Sequence, residues 1–103
     1  MKTNGKYIMD GDGNIIKCND LLLWAKWFEA AGEKRRVAYD KIGESGYIST
    51  VFLGLDYSFK KSGAPVLFET MAFPSEIQER YKTKEAALAG HKRILAQLLA
   101  EEK

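Results

Sequence analysis

The residue types that perform most acid–base and metal chemistry in proteins are scarce in this chain. Its 103 residues include one histidine, His91, and one cysteine, Cys18. One of each cannot complete the usual Cys/His zinc site, and a single cysteine excludes an internal disulfide framework. The sequence has no glycine-rich phosphate loop and none of the common hydrolase motifs. We therefore assign no catalytic residue, no metal ligand and no cofactor, and we favour a protein that is not an enzyme.

His91 is the one residue that leaves an enzyme open as an alternative. It lies at the centre of the apolar face predicted for the last helix. An imidazole there is more often a core residue, hydrogen-bonded to a backbone or tyrosine oxygen, because catalytic histidines need an open cleft. The alternative is a small enzyme or ligand-binding domain whose pocket lies near His91 and the loop 56–59.

The acidic, glycine-rich segment 10–14 has the oxygen ligands of a calcium loop at alternate positions. However, Ile15 and Leu21 stand where an EF-hand requires its glycine and its bidentate glutamate. Gly, Asp and Asn are also the residues that tight turns need. We predict a hairpin turn here and no metal site.

The single basic run, 34–36, lies among acidic residues in a chain whose net charge is only +2. A nucleic-acid-binding face usually carries a continuous basic stripe. We interpret the run as the solvated start of a strand. A nucleic-acid-binding accessory protein is the third function considered, and nucleic acid is not an expected partner.

Hydrophobic spacing and turn residues predict the elements that must position these side chains. Asn19 or Asp20 caps the first helix, Gly32 ends it, and Thr83 caps the last helix. Residues 75–82 fit either a helical turn or a loop that ends in a strand. The predicted elements are a hairpin over 6–18, a helix over 21–31, strands over 35–42, 47–55 and 65–73, and a helix from 83 to about 100.

This order predicts a single α+β domain over residues 1–103, with two helices packed on an antiparallel sheet of three to five strands, a meander plus the N-terminal hairpin. The three consecutive apolar residues Val51, Phe52 and Leu53 predict a central strand that is covered on both faces.

The first helix gives the clearest indication of a binding surface. Its apolar arc is roughly 220° wide, about twice what a single packed face requires. Either the hairpin covers the surplus or another molecule does, since exposed large apolar groups indicate a partner. The candidate partner-binding residues are Leu22, Leu23, Trp27, Arg35, Arg36, Asp56 and Tyr57.

Two runs, STVFLGLDYSF at 49–59 and PVLFETM at 65–71, make the chain similar to a family of small phage and prophage accessory proteins. The similarity extends over 23–29 and 35–38, and forward to 80–83 and 89–91, so it covers most of the chain. That family has no agreed activity, and no functional residue is carried over from it.

The resemblance implies a phage or prophage gene whose product acts in the cytoplasm of a bacterial host. Short phage proteins without catalytic signatures are often stoichiometric inhibitors of host machinery, anti-CRISPR proteins among them. We therefore expect a non-enzymatic protein-binding inhibitor with a counter-defence role. Its candidate partners are a host or phage protein and a second copy of the chain. The polar N-terminus and the lack of a run of ~20 apolar residues predict no signal peptide and no membrane partner.

Overall fold

The computed structural model describes residues 5–58 and 64–101 of the chain. They form an α+β fold with two antiparallel sheets and two α-helices, so the predicted fold class is confirmed. For residues 75–82 the sequence fits either a helical turn or a loop that ends in a strand, and the structure has the strand. The elements are β1 (Tyr7–Met9), β2 (Ile15–Lys17), α1 (Leu21–Ala31), a 3₁₀ helix (Gly32–Arg35), β3 (Arg36–Ile42), β4 (Gly46–Phe52), β5 (Phe68–Phe73), β6 (Gln78–Tyr81) and α2 (Lys84–Glu101).

The segment 10–14 is the turn of the β1–β2 hairpin, as predicted. The carboxylate of Asp10 accepts hydrogen bonds from the backbone N–H groups of Asp12 and Asn14, both at 2.9 Å. The bond from the Asn14 backbone is the largest reason why the pKa of Asp10 lies below its usual value. These oxygens organise the turn itself.

Both helices begin at the predicted caps, and α1 also ends at the predicted glycine. The side chain of Asp20 accepts a hydrogen bond from the backbone N–H of Leu23 at 3.1 Å, and α1 ends at Gly32, which has a positive φ of 47°. The hydroxyl of Thr83 caps α2 by accepting from the N–H of Ala86.

The larger sheet is a meander in the order β3-β4-β5-β6, and α2 packs across one of its faces. Gly90 lets the helix approach β6 closely, because a Cβ at that position would overlap the ring of Tyr81. The face of β4 and β5 under the helix is fully buried, and α2 adds its own buried stripe to it. The buried side chains of these three elements on this side are Ile48, Thr50, Phe52, Phe68, Thr70, Ala72, Ala87, His91, Ile94 and Leu98.

The prediction that β4 is covered on both faces is wrong. Phe52 points under α2 and is fully buried, but Val51 and Leu53 are only half-buried. Antiparallel sheets can be covered on a single side, and α1 does not supply the second layer because it packs on β1 and the 3₁₀ helix. No described helix is long and apolar enough to cross a membrane.

Candidate functional site

A chain of hydrogen bonds runs through the middle of the core between the sheet and α2. The Nε2 atom of His91 lies 2.9 Å from a carboxylate oxygen of Asp40 on β3, and its Nδ1 atom lies 2.7 Å from the hydroxyl of Thr50 on β4. The Thr50 hydroxyl in turn lies 2.5 Å from that of Thr70, directly across the β4–β5 ladder. His91 is thus a core residue whose partners are threonine and aspartate side chains, where the sequence led us to expect a backbone or tyrosine oxygen.

This polar chain, Asp40–His91–Thr50–Thr70, separates the core into two apolar halves. Ile48, Ala72, Ile94 and Leu98 form the half on one side of it. The other half contains Phe52, Leu67, Phe68 and Ala87. Because buried polar groups are costly when unpaired, the polar chain fixes the register of α2 on the sheet.

The polar chain has the residue types of a hydrolytic triad but not the access that catalysis requires. Thr50 is 0% exposed and His91 only 3% exposed, so no substrate atom reaches the hydroxyl. The carboxyl of Asp40 is the one member at the surface, with 48% of its side chain exposed. The geometry is that of a structural hydrogen-bond network that joins the helix to the sheet and reaches solvent only at Asp40.

An exposed apolar patch lies at the start of α1. Leu21, Leu22 and Leu23 are between 57% and 73% exposed, and no residue of α1 is fully buried. We call these three residues the leucine surface. Exposed leucines occur singly on most proteins. Here three of them fan over roughly 200° of one helical turn, and this concentration of exposed apolar side chains is of the kind that indicates a partner.

The two tryptophans of α1 point towards the hairpin and the core. The indole N–H of Trp24 lies within hydrogen-bonding distance of the carbonyls of Tyr7 and Gly54, at 3.1 and 3.0 Å. That of Trp27 donates to Met9 at 3.0 Å, and its ring meets the ring of Phe52 edge-on. The hairpin therefore covers the tryptophan side of the wide apolar arc and leaves the leucine side bare.

A second exposed apolar surface covers the side of the meander opposite α2, and we call it the open face. Its aromatic rings stack across three strands, Tyr39 on Tyr47 at 6.1 Å and Tyr47 on Phe73 at 5.8 Å between centroids. The exposed fractions of these rings and of Met71 lie between 39% and 52%. The open face, a depression of about 700 Å³, is lined by Arg36, Tyr39, Tyr47, Ser49, Val51, Glu69, Met71, Phe73, Glu76 and Gln78.

Charged groups border this row of rings at two ends. The guanidinium of Arg36 lies over the ring of Tyr39, 4.5 Å from its centroid. Glu69 is held in place by Arg80 at 2.9 Å and by Gln78 at 2.5 Å. Glu76, in the turn after β5, has an exposed side chain and a positive φ of 62°. The open face thus has Arg36 at one corner, Glu76 at the diagonal corner and apolar rings between them, with Lys41 at a third corner beside Tyr47.

The structure does not place the seven candidate binding residues in one patch. Leu22 and Leu23 belong to the leucine surface, and Trp27 packs inwards. Arg36 lies on the open face, whereas Arg35 turns in, donates to the carbonyl of Phe52 at 2.9 Å and covers the Phe28 ring. Burial lowers the pKa of Arg35. The basic run therefore does not form a continuous cationic stripe.

The remaining two candidates lie around the loop that leads to β5. The carboxylate of Asp56 accepts from the backbone N–H groups of Ser58 and Val66, so it ties the two ends of the loop together. The ring of Tyr57 lies under the guanidinium of Arg80, which in turn binds Glu69 on the open face. Tyr57 consequently borders the open face, and Asp56 holds the loop that carries it.

The sequence reasoning did not select Tyr39, Tyr47, Met71 or Phe73. The signal was present, because Tyr47, Ser49 and Val51 alternate along β4 with the buried residues. Tyr39, Met71 and Phe73 are the apolar residues among their partners on the neighbouring strands. The prediction that both faces of β4 are covered led us to treat these residues as part of the core.

Searches against protein-family models, curated proteins and solved structures found no match to this chain. Among the described residues, no group of three or more His, Cys, Asp or Glu side chains is arranged to hold a metal ion.

Proposed function

We propose that this chain is a non-enzymatic protein-binding protein whose leucine surface contacts a host or phage protein. The observation that carries the proposal is the exposure of three consecutive leucines on a helix that has no buried residue. Burying one leucine side chain on a partner gains roughly 1.5–3 kcal/mol, so the leucine surface can supply the apolar centre of a larger interface.

The kind of partner follows from the shape of the surface. Because the three leucines fan around the first turn, they fit a partner with an apolar pocket that receives the start of the helix. Asp20 and Lys26 lie near the two ends of the patch and are exposed, which adds polar contacts around an apolar centre. The phage context from the resemblance suggests host machinery as the target, with counter-defence as the specific role.

The two other functions have less support. An enzyme with a pocket near His91 needs access to the imidazole, and both of its ring nitrogens are engaged in the core. A nucleic-acid-binding protein needs a basic stripe, and Arg35 is turned away from Arg36.

A pair of matched variants tests the binding surface. Leu22→Ser and Ala25→Ser both place serine at an exposed position of α1, but only Leu22→Ser removes a leucine. A partner captured with the wild-type chain is purified and titrated by calorimetry. If Leu22 is a hot spot, Leu22→Ser costs about 2 kcal/mol of binding, roughly thirtyfold in affinity, and Ala25→Ser less than threefold. Equal affinities for the two variants would contradict the assignment of the leucine surface.

The counter-defence role has a test of its own. The chain is expressed in bacteria whose CRISPR system targets an infecting phage, and plaques are counted. We expect the wild-type chain and Ala25→Ser to restore plating, and Leu22→Ser to fail. Plating that stays equally low with and without the wild-type chain would contradict counter-defence, while the affinity titration still judges the binding surface.

A further inference from the structure

The open face is unusually apolar for the solvent side of a sheet. Antiparallel sheets with one covered face normally alternate apolar residues inside with polar residues outside. Here Tyr39, Tyr47, Met71 and Phe73 all lie on the outer side, and each is more than one-third exposed. Four large side chains next to each other form a patch that a monomer in water would not be expected to leave bare.

Arg36 and Glu76 lie at opposite corners of the open face, and Lys41 lies at a third corner, paired with Tyr47. Arg36 begins β3 and pairs with Val51, at the end of β4. Glu76 follows Phe73, which pairs with Tyr47 at the beginning of β4. The two charges are therefore separated along the strands and also across the sheet, with the stacked rings between them.

We propose that the open face packs on the open face of a second copy of this chain in a twofold-symmetric dimer. A twofold interface is self-complementary, since each contact between two different residues occurs twice. A surface with a cation at one corner and an anion at the diagonal corner meets this condition. With the twofold axis lying between the sheets along the other diagonal, Arg36 faces Glu76 of the partner subunit, and Glu76 faces Arg36 of the partner subunit. Lys41 lies at the solvent-exposed end of that diagonal, near its own copy, where water screens the two ammonium groups.

The same axis brings apolar groups together. The β3–β4 register and a strand spacing of about 4.8 Å place Tyr47 over Tyr39 of the partner subunit. Phe73 then lies towards Val51 of the partner subunit. The arrangement is a sheet-on-sheet packing with one α2 helix on each outer side, a layer order that buries both faces of each sheet.

The open face is small. Four strands about 4.8 Å apart, of four to seven residues each, span at most roughly 19 by 23 Å, so the dimer buries less than about 900 Å² in total. An area below that of stable complexes is typical of weak association, and we expect dissociation in the micromolar range, roughly 1–100 μM. The dimer uses none of the leucine surface, so it stands independently of the proposed function.

Charge reversal with sedimentation equilibrium tests the dimer in the full chain. We expect Arg36→Glu and Glu76→Arg each to weaken dimerisation at least tenfold, because each brings like charges together. The double variant restores the pair with its sign exchanged and should return to within about threefold of wild type. Lys92→Glu, an exposed charge reversal on α2 outside the open face, is the control and should leave dimerisation unchanged.

Met71→Lys provides a second route if a charge reversal disturbs folding, which circular dichroism melts would reveal. Met71 is exposed near the middle of the open face, so the substitution places two ammonium groups in the interface and should give a monomer. A wild-type chain that stays monomeric up to about 1 mM would overturn the proposal, since that limit exceeds the expected dissociation constant by at least tenfold. So would a dimer that the double charge reversal does not restore, or one that Leu22→Ser disrupts and Met71→Lys does not.

Discussion

The Nδ1 atom of His91 lies 2.7 Å from the hydroxyl of Thr50, so helix α2 and strand β4 are joined by a hydrogen bond inside the core. Thr50→Val keeps the shape of the side chain and removes the hydroxyl. It leaves the imidazole nitrogen and the Thr70 hydroxyl without this buried partner, and we expect a loss of about 1–3 kcal/mol in the free energy of unfolding. Urea titration measures it.

The paired substitution Thr50→Val with Thr70→Val extends this prediction. If the hydroxyls act as one network, the double variant should cost less than the sum of the single variants, with a coupling of about 0.5–2 kcal/mol. Additive costs would show that the two hydroxyls contribute separately.

Trp27 and Leu22 lie on the same helix, but only the truncation of Trp27 should lower the stability of the fold. Trp27→Ala removes the edge contact with Phe52 and the bond to the Met9 carbonyl, so we expect a loss of about 2–4 kcal/mol of stability. Leu22→Ala removes an exposed side chain and should change stability by less than about 0.5 kcal/mol. Thermal melts of both variants provide the comparison, and a destabilised Leu22→Ala would mean that the leucine is packed in solution.

Gly90→Ala should destabilise the protein although alanine is the better helix former. The helix propensity gain is about 1 kcal/mol, but the added Cβ would overlap the ring of Tyr81. We expect a net loss of at least about 1 kcal/mol from overpacking. In a Tyr81→Leu background the same substitution should lose less, and an equal loss in both backgrounds would rule out the ring as the cause.

Glu76→Gly should stabilise the fold. A side chain at a φ of 62° is strained, and glycine relieves that strain for a net gain of about 0.5–1 kcal/mol after its larger entropy loss on folding. Glu76→Ala is the control, since it removes the carboxylate but keeps the Cβ. Unfolding is followed at low protein concentration, so that self-association does not contribute, and equal stabilities of the two variants would contradict the strain argument.

Tyr81 should make the stability of the protein fall at high pH. Burial raises the pKa of its phenol above the usual value, partly opposed by the nearby Thr70 hydroxyl. The folded chain therefore holds this proton more tightly than the unfolded chain. The corresponding stability is fully present below about pH 10, the pKa of tyrosine in an unfolded chain, and is lost as pH rises through the folded pKa.

The comparison of wild type with Tyr81→Phe isolates this effect from the other ionising groups. The difference in free energy of unfolding between the two should be constant from pH 6 to about pH 9.5 and change above it, in the direction that makes wild type relatively less stable. A difference that stays constant to about pH 11 would show that the phenol titrates equally in both states.

Local signals were sufficient to predict most elements of this fold. Asp20 and Gly32 bound α1, Thr83 caps α2, and the residues of 10–14 make a hairpin turn, because caps and turns depend on side chains close in sequence. The sequence does not distinguish a helical turn from a strand at β6, because four residues after a turn carry little periodic signal.

The features missed by the sequence reasoning depend on long-range packing. An apolar residue such as Val51 is compatible with a covered sheet face and with an open one. Its residue type therefore does not tell whether a second layer packs on the sheet. His91 was placed in the core correctly, but its partners Asp40 and Thr50 lie 51 and 41 residues away. The width of the apolar arc of α1 did not show which part the hairpin would cover.

The attachment of α1 to the rest of the molecule has a consequence for how the protein moves. The helix is fastened by the indoles of Trp24 and Trp27 and, just beyond its end, by Arg35, while α2 packs along all four strands of the meander. Amide protons of α1 and the hairpin should therefore exchange with solvent through a sub-global opening that leaves the meander and α2 protected. The part of the chain that bears the leucine surface is the part most able to adjust its position when a partner arrives.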